Sequence, residues 1–134
     1  MYTATSHLIF RTVLQFVWNS KGEADGLKIP EKHTIFPALP PDGEEAARPL
    51  LQLPFGRVES IVSTAAGSPA GFWYDQAESE WVSVLEGWAV LAFPEGRLTR
   101  KKGECILIPA HLRHRVEETS ASPPCRWLCI FYRE

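Results

Sequence analysis

The chain has 134 residues, 45% of them hydrophobic, with 14 Lys and Arg against 16 Asp and Glu and a formal net charge of -2. That size and apolar content suit one domain whose core needs no disulfide framework. Basic residues are scattered rather than gathered into a stripe that could follow a phosphate backbone, so nucleic acid is not an expected partner.

Residues 1–54 read as an irregular lead-in. Residues 8–18 are mostly apolar but contain Arg11 and Gln15, and they reach only about half the length needed to span a bilayer. They lack a basic start and a small-residue cleavage site, so no membrane span or targeting signal is expected and the protein reads as cytoplasmic. Their spacing fits neither a helix nor a strand cleanly; the segment is expected to pack on the rest of the fold or on a second subunit, or else to lie upstream of the true start. Pro30, Pro37, Pro40 and Pro41 then oppose both helix interiors and central strands. A short helix is expected at most around residues 43–51.

Residues 55–134 read as an all-β barrel or sandwich. Short runs of β-branched and aromatic residues recur between turn signals, and strands are expected near 57–63, 71–76, 80–86, 88–93, 97–100, 105–108, 112–118 and 126–132. Turns are supplied by Gly67-Ser68-Pro69, Pro94-Glu95-Gly96 and Lys101-Lys102-Gly103. Cys105, Cys125 and Cys129 form no close metal or redox pair and read as reduced core residues. On one strand, Cys125 and Cys129 would stand about 13 Å apart, too far for a disulfide.

Two strands carry unusual polar residues. In residues 80–87, alternation puts Glu80 on one face with Val82 and Val84, and Trp81, Ser83 and Leu85 on the other. In residues 113–117 it puts His114 with Val116, opposite the charged face of Arg113, Arg115 and Glu117, so His114 points inward. An isolated carboxylate and an isolated imidazole in a barrel interior are costly. A shared divalent cation removes that cost, as would a direct hydrogen bond between them.

Residues 80–87, Glu-Trp-Val-Ser-Val-Leu-Glu-Gly, resemble the end of the first cupin motif, in which a metal-binding Glu precedes Gly by six intervening residues. Residues 103–114 resemble the second motif: Gly103, five residues, Pro109, then a metal-binding His at 114. Fifteen residues separate Gly87 from Gly103, as in small bacterial cupins of the cupin 2 type. The resemblance spans residues 57–132 and implies a double-stranded β-helix, the jelly-roll barrel, with an irregular N-terminal lead-in. It also implies one divalent ion (iron, manganese, nickel or zinc), a small-molecule ligand or substrate, and a homodimer.

The first motif departs from the family. Where cupins carry His-x-His, this chain has Gly-Phe-Trp-Tyr-Asp-Gln at residues 71–76. One spacing places Tyr74 and Gln76 at the ligand positions, the other Trp73 and Asp75, and a one-residue slip exchanges the faces. The commoner spacing favours Tyr74 and Gln76. The implied metal set is Gln76, Glu80 and His114, with Tyr74, Asp75 and His111 as proton-transfer candidates. His111 stands where many cupins have Gly, and a plain surface histidine is its alternative reading; His7 and His33 read as incidental surface residues. The implied functions are a metal-dependent enzyme of oxygenase, isomerase or lyase type, or a non-catalytic barrel that captures a small ligand. The outward aromatics Trp81 and Trp88 are candidates for a subunit interface.

Overall fold

A computed structural model describes residues 29–134. Eight strands follow one another: β1 (Glu44–Leu53), β2 (Gly56–Thr64), β3 (Ser79–Glu86), β4 (Trp88–Phe93), β5 (Gly96–Lys101), β6 (Cys105–Ile108), β7 (Arg115–Thr119) and β8 (Cys125–Tyr132). A five-stranded sheet runs in the order β1-β2-β8-β3-β6 and a three-stranded sheet in the order β5-β4-β7. Every strand pair is antiparallel. The described residues contain no helix, and thus none long and apolar enough to cross a membrane.

The core lies where the sheets face each other. On β8, residues Cys125, Trp127, Cys129 and Phe131 are buried and alternate with half-buried neighbours, the period of a strand with one face inward. They pack with Val82 and Val84 of β3, Ala89 and Leu91 of β4 and Ile108 of β6. Full burial of a large apolar side chain contributes about 1.5–3 kcal/mol, so this cluster is what closes the two sheets on each other. Cys125 and Cys129 are free and buried as expected, but Cys105 is exposed at the start of edge strand β6.

The strand that follows the tight turn at Gly87 depends on that glycine. Its φ is +73°, and a Cβ there would come within 2.3 Å of Ser120 Oγ and 2.7 Å of the Pro124 carbonyl oxygen. Only a residue without a side chain meets both conditions.

Three expectations are corrected. Residues 44–53 form no helix; they are β1, paired with β2 from Glu44↔Thr64 to Leu53↔Gly56. Its Glu, Ala and Leu residues favour helix intrinsically, but the free edge of β2 offers a ladder of hydrogen bonds, and Pro49 would break a helix interior. On an edge strand, Pro49 is tolerated at the register shift between Pro49 and Leu51. Residues 71–76 are not a strand but a loop with one bridge, Tyr74↔His114. The strand expected at 112–118 begins only at Arg115, because His111 to His114 still belong to the turn. Residues 8–18 and His7 lie outside the described residues. Within the lead-in, the Ile35 carbonyl accepts a hydrogen bond from Ser60 Oγ, and Arg126 lies 4.6 Å over the Phe36 ring. This segment covers the outer face of β2 and β8.

Candidate functional site

Between the sheets is a cavity of about 290 Å³. Its wall is mostly apolar, including Ile61, Val82, Leu91, Ile108, Val116, Trp127 and Phe131. Tyr74, Gln76, Glu80 and His114 give it one polar end, and Glu45, Glu59 and Arg57 line the β1–β2 side.

The polar end is assembled from three chain segments. Alternation on β3 turns Glu80 and Val82 inward, as the sequence indicated. Residues 72–76 are not a strand, so their facing is set by main-chain bonds to the turn before β7. Tyr74 N donates to the His114 carbonyl at 2.7 Å, His114 N to the Tyr74 carbonyl at 3.2 Å, and His111 N to the Gln76 carbonyl at 2.7 Å. These bonds hold Tyr74 and Gln76 inward and leave Trp73 and Asp75 outside the cavity wall.

Within the group, Gln76 Nε2 donates to Glu80 Oε2 at 3.0 Å, and His114 Nε2 lies 3.6 Å from the same oxygen. His114 Nδ1 donates to the Leu112 carbonyl at 2.8 Å. That bond fixes the proton on Nδ1 and aims Nε2 at Glu80. Tyr74 stacks on the imidazole with centroids 5.3 Å apart. Burial pulls the His114 pKa down, but the contact with Glu80, the Leu112 carbonyl and the Glu80 charge outweigh it, leaving it above the ordinary value.

Asp75 and His111 are together, but elsewhere. His111 Nδ1 donates to Asp75 Oδ1 at 2.8 Å, with side chains 70% and 51% exposed. His111 has φ +64°, the left-handed conformation that suits the Gly found there in many cupins. Neither side chain lines the cavity, so their expected proton-transfer role toward a cavity ligand has no contact behind it.

The β1–β2 wall was not legible as part of a site. Arg57 donates to Glu59 at 2.9 Å and, through one guanidinium nitrogen, to both Glu78 oxygens at 2.9 and 2.7 Å. Its guanidinium also sits 4.1 Å from the Phe131 centroid. Glu45 accepts a hydrogen bond from Ser63 Oγ at 2.7 Å. Glu45 lines the cavity and remains exposed to solvent, although protein crowds its carboxyl. Burial, opposed by the Ser63 bond and reinforced by the charges of Glu80 and Glu59, raises the Glu45 pKa. The available signal is the alternation Arg57, Glu59, Ile61 on one face of β2, but two charges on a strand face ordinarily point to solvent. Cys129 lies among these acids; burial first, then Glu80, Glu59 and Glu45, hold its thiol well above its ordinary range. It is therefore no nucleophile at neutral pH.

Two antiparallel sheets closing over a ligand-sized cavity define a jelly-roll barrel. The Cupin domain family matches residues 60–131, more than half of the chain, and the chain belongs to the cupin family. A protein from Ralstonia eutropha JMP134, provisionally named mannose-6-phosphate isomerase, is 32% identical with a TM-score of 0.71, over 78% of this chain and 100% of its own. A cupin superfamily protein from Desulfitobacterium hafniense DCB-2 is 15% identical with a TM-score of 0.59, over 69% of this chain and 81% of its own. A cupin-2 domain protein from Shewanella frigidimarina NCIMB 400 is 21% identical with a TM-score of 0.53, over 66% and 80%. The last two share the fold. No curated protein matches.

Cupins commonly bind a metal. The donors here are one imidazole, one carboxylate and one amide, and no group of three His, Cys, Asp or Glu side chains converges among the described residues. Glu80 already receives Gln76 and faces His114, so each charge is balanced within the group. These residues do not fit the family's usual His-rich centre.

Proposed function

We propose that this protein is a small-molecule-binding cupin whose ligand sits in the 290 Å³ cavity with a polar group against Tyr74, Gln76, Glu80 and His114. The observation that carries this reading is the convergence of those four side chains at one end of a mostly apolar cavity. Such cavities gain affinity from the apolar wall and orientation from a few polar groups. The Glu80–His114 pair can accept a proton from a bound group and return it, with Tyr74 in reach of the same space. Proton transfer of the isomerase or lyase type is chemistry these residues could perform, and the provisional name of the Ralstonia relative is of that type.

The test is an NMR titration of the full chain with a panel of small organic fragments. Binding in the cavity shifts the Trp127 indole N–H resonance and leaves that of Trp88, which does not line it, in place. A panel that moves neither resonance, at fragment concentrations in the millimolar range typical of weak ligands, removes the proposal.

A second reading places one divalent ion on Gln76, Glu80 and His114. It is favoured by the Nδ1 bond to Leu112, which orients His114 Nε2 toward the carboxylate as metal-ligating histidines are oriented. Elemental analysis after incubation with iron, manganese, nickel or zinc separates the two. The first reading expects well under one ion per chain, whereas a stoichiometric ion lost on His114→Ala establishes the second. Pairing as a homodimer belongs to the same proposal, on the strength of exposed apolar residues such as Phe55 and Leu107. Sedimentation of the chain with and without residues 1–27 shows whether it forms and whether the N-terminal segment takes part.

A further inference from the structure

The charges of the cavity wall are not balanced on both sides. Among the described residues three carboxylates line it, from Glu45, Glu59 and Glu80. Glu80 faces His114 at 3.6 Å, and Glu59 shares Arg57 with Glu78. Glu45 is bonded to a neutral hydroxyl, Ser63 Oγ, and among the described residues no cation reaches it. Among the described residues Arg57 is the only guanidinium on the wall, and it is committed to two carboxylates. Beside Glu45 in the sheet register run Ala47, Ile61 and Trp127, an apolar strip two residues further along the strands.

Resting on the reading that the cavity holds a small organic ligand, we propose that this ligand is an organic cation: an amine whose ammonium pairs with Glu45 and whose apolar body lies along Ile61 and Trp127. An ammonium held against Glu45 gains the attraction of that carboxylate and of the neighbouring Glu59 and Glu80 charges, in a cavity whose wall is largely apolar. Trp127, which lines the same cavity, offers apolar surface to the body of the amine. An anion would instead meet three carboxylates and a guanidinium already engaged twice. A sugar phosphate, the substrate type in the Ralstonia relative's name, therefore has the wrong charge for this wall.

The experiment uses benzylamine, benzyl alcohol and benzoate, which share a body and differ in charge, with mannose 6-phosphate as a fourth probe. Each is titrated into the full chain at neutral pH and low salt, read by the Trp127 indole resonance. Benzylamine is expected to bind at least about tenfold tighter than benzyl alcohol, the equivalent of one favourable partly buried ion pair, with benzoate and mannose 6-phosphate weaker than both. Glu45→Gln, which keeps shape and the acceptor for Ser63, is expected to erase the tenfold advantage of benzylamine and leave benzyl alcohol within about twofold. Glu44→Gln, whose side chain does not line the cavity, changes neither, and a cooperative melting transition no lower than the wild type's shows that both variants are folded. Tighter binding of benzoate or mannose 6-phosphate than of benzylamine overturns the charge assignment alone, as does a Glu45→Gln variant that keeps the benzylamine preference. If no probe, the neutral alcohol included, moves Trp127, the cavity reading fails and the assignment with it.

Discussion

The two polar regions of the cavity are built on opposite plans. At the end formed by β3, the 72–76 loop and the turn before β7, each group answers another: Gln76 and His114 meet Glu80, and Leu112 fixes the imidazole. On the β1–β2 wall, Arg57 balances Glu59 and Glu78, and Glu45 is left with a hydroxyl. A closed polar group is worth keeping because breaking it strands a charge, whereas an unmatched carboxylate lowers the stability of the empty protein and is available to a ligand. The same residue type thus has opposite energetic meaning at the two places.

The largest test of this contrast is His114→Ala. It removes the partner of Glu80 from a site where the two side chains are 5% and 12% exposed, and it opens a cavity beside Tyr74. A loss of roughly 3 kcal/mol in denaturant unfolding is expected; a loss below about 0.5 kcal/mol would show that Glu80 needs no partner, as for a surface pair.

Glu45→Gln should act with the opposite sign. Because the folded-state pKa of Glu45 lies above the ordinary 4.5, the folded chain holds that proton more tightly than the unfolded chain. Its contribution to stability is then present below pH 4.5 and lost as pH rises through the raised value. Melting temperatures from pH 4 to 8 should show Glu45→Gln gaining slightly on the wild type toward neutral pH, by about a degree, because solvent reaches Glu45 and screens its charge. A variant that instead falls behind over that range contradicts an unmatched carboxylate.

The smallest effect is expected at the outer pair. His111→Gly relieves a left-handed conformation but loses the exposed contact with Asp75 and adds backbone freedom to the unfolded chain. These terms nearly cancel, so stability should change by less than about 1 kcal/mol and fragment binding should be unaltered. A clear loss of binding would bring Asp75 and His111 back into the site.

The closed end was largely legible in the chain. Glu80 and His114 sit at fixed spacings from Gly87 and Pro109; strand parity turns Glu80 inward, and the inward facing expected of His114 holds although it stands in the turn before β7. Whether Tyr74 and Gln76 or Trp73 and Asp75 shared their space was not legible, because residues 71–76 are a loop without a period. Backbone bonds from residues more than thirty positions away, at His111 and His114, set that facing. The β1–β2 wall was misread at its first strand, since residues 44–53 carry helix formers and show their strand character only against the open edge of β2.

The sequence by itself determined the barrel, its turns and the strand that brings an acid inward, because alternation and turn chemistry are local properties of consecutive residues. Only the tertiary structure decided which of the remaining side chains face the cavity and which charges there are matched. Those depend on pairing between distant segments, and the energy of a carboxylate is fixed by what folding places beside it.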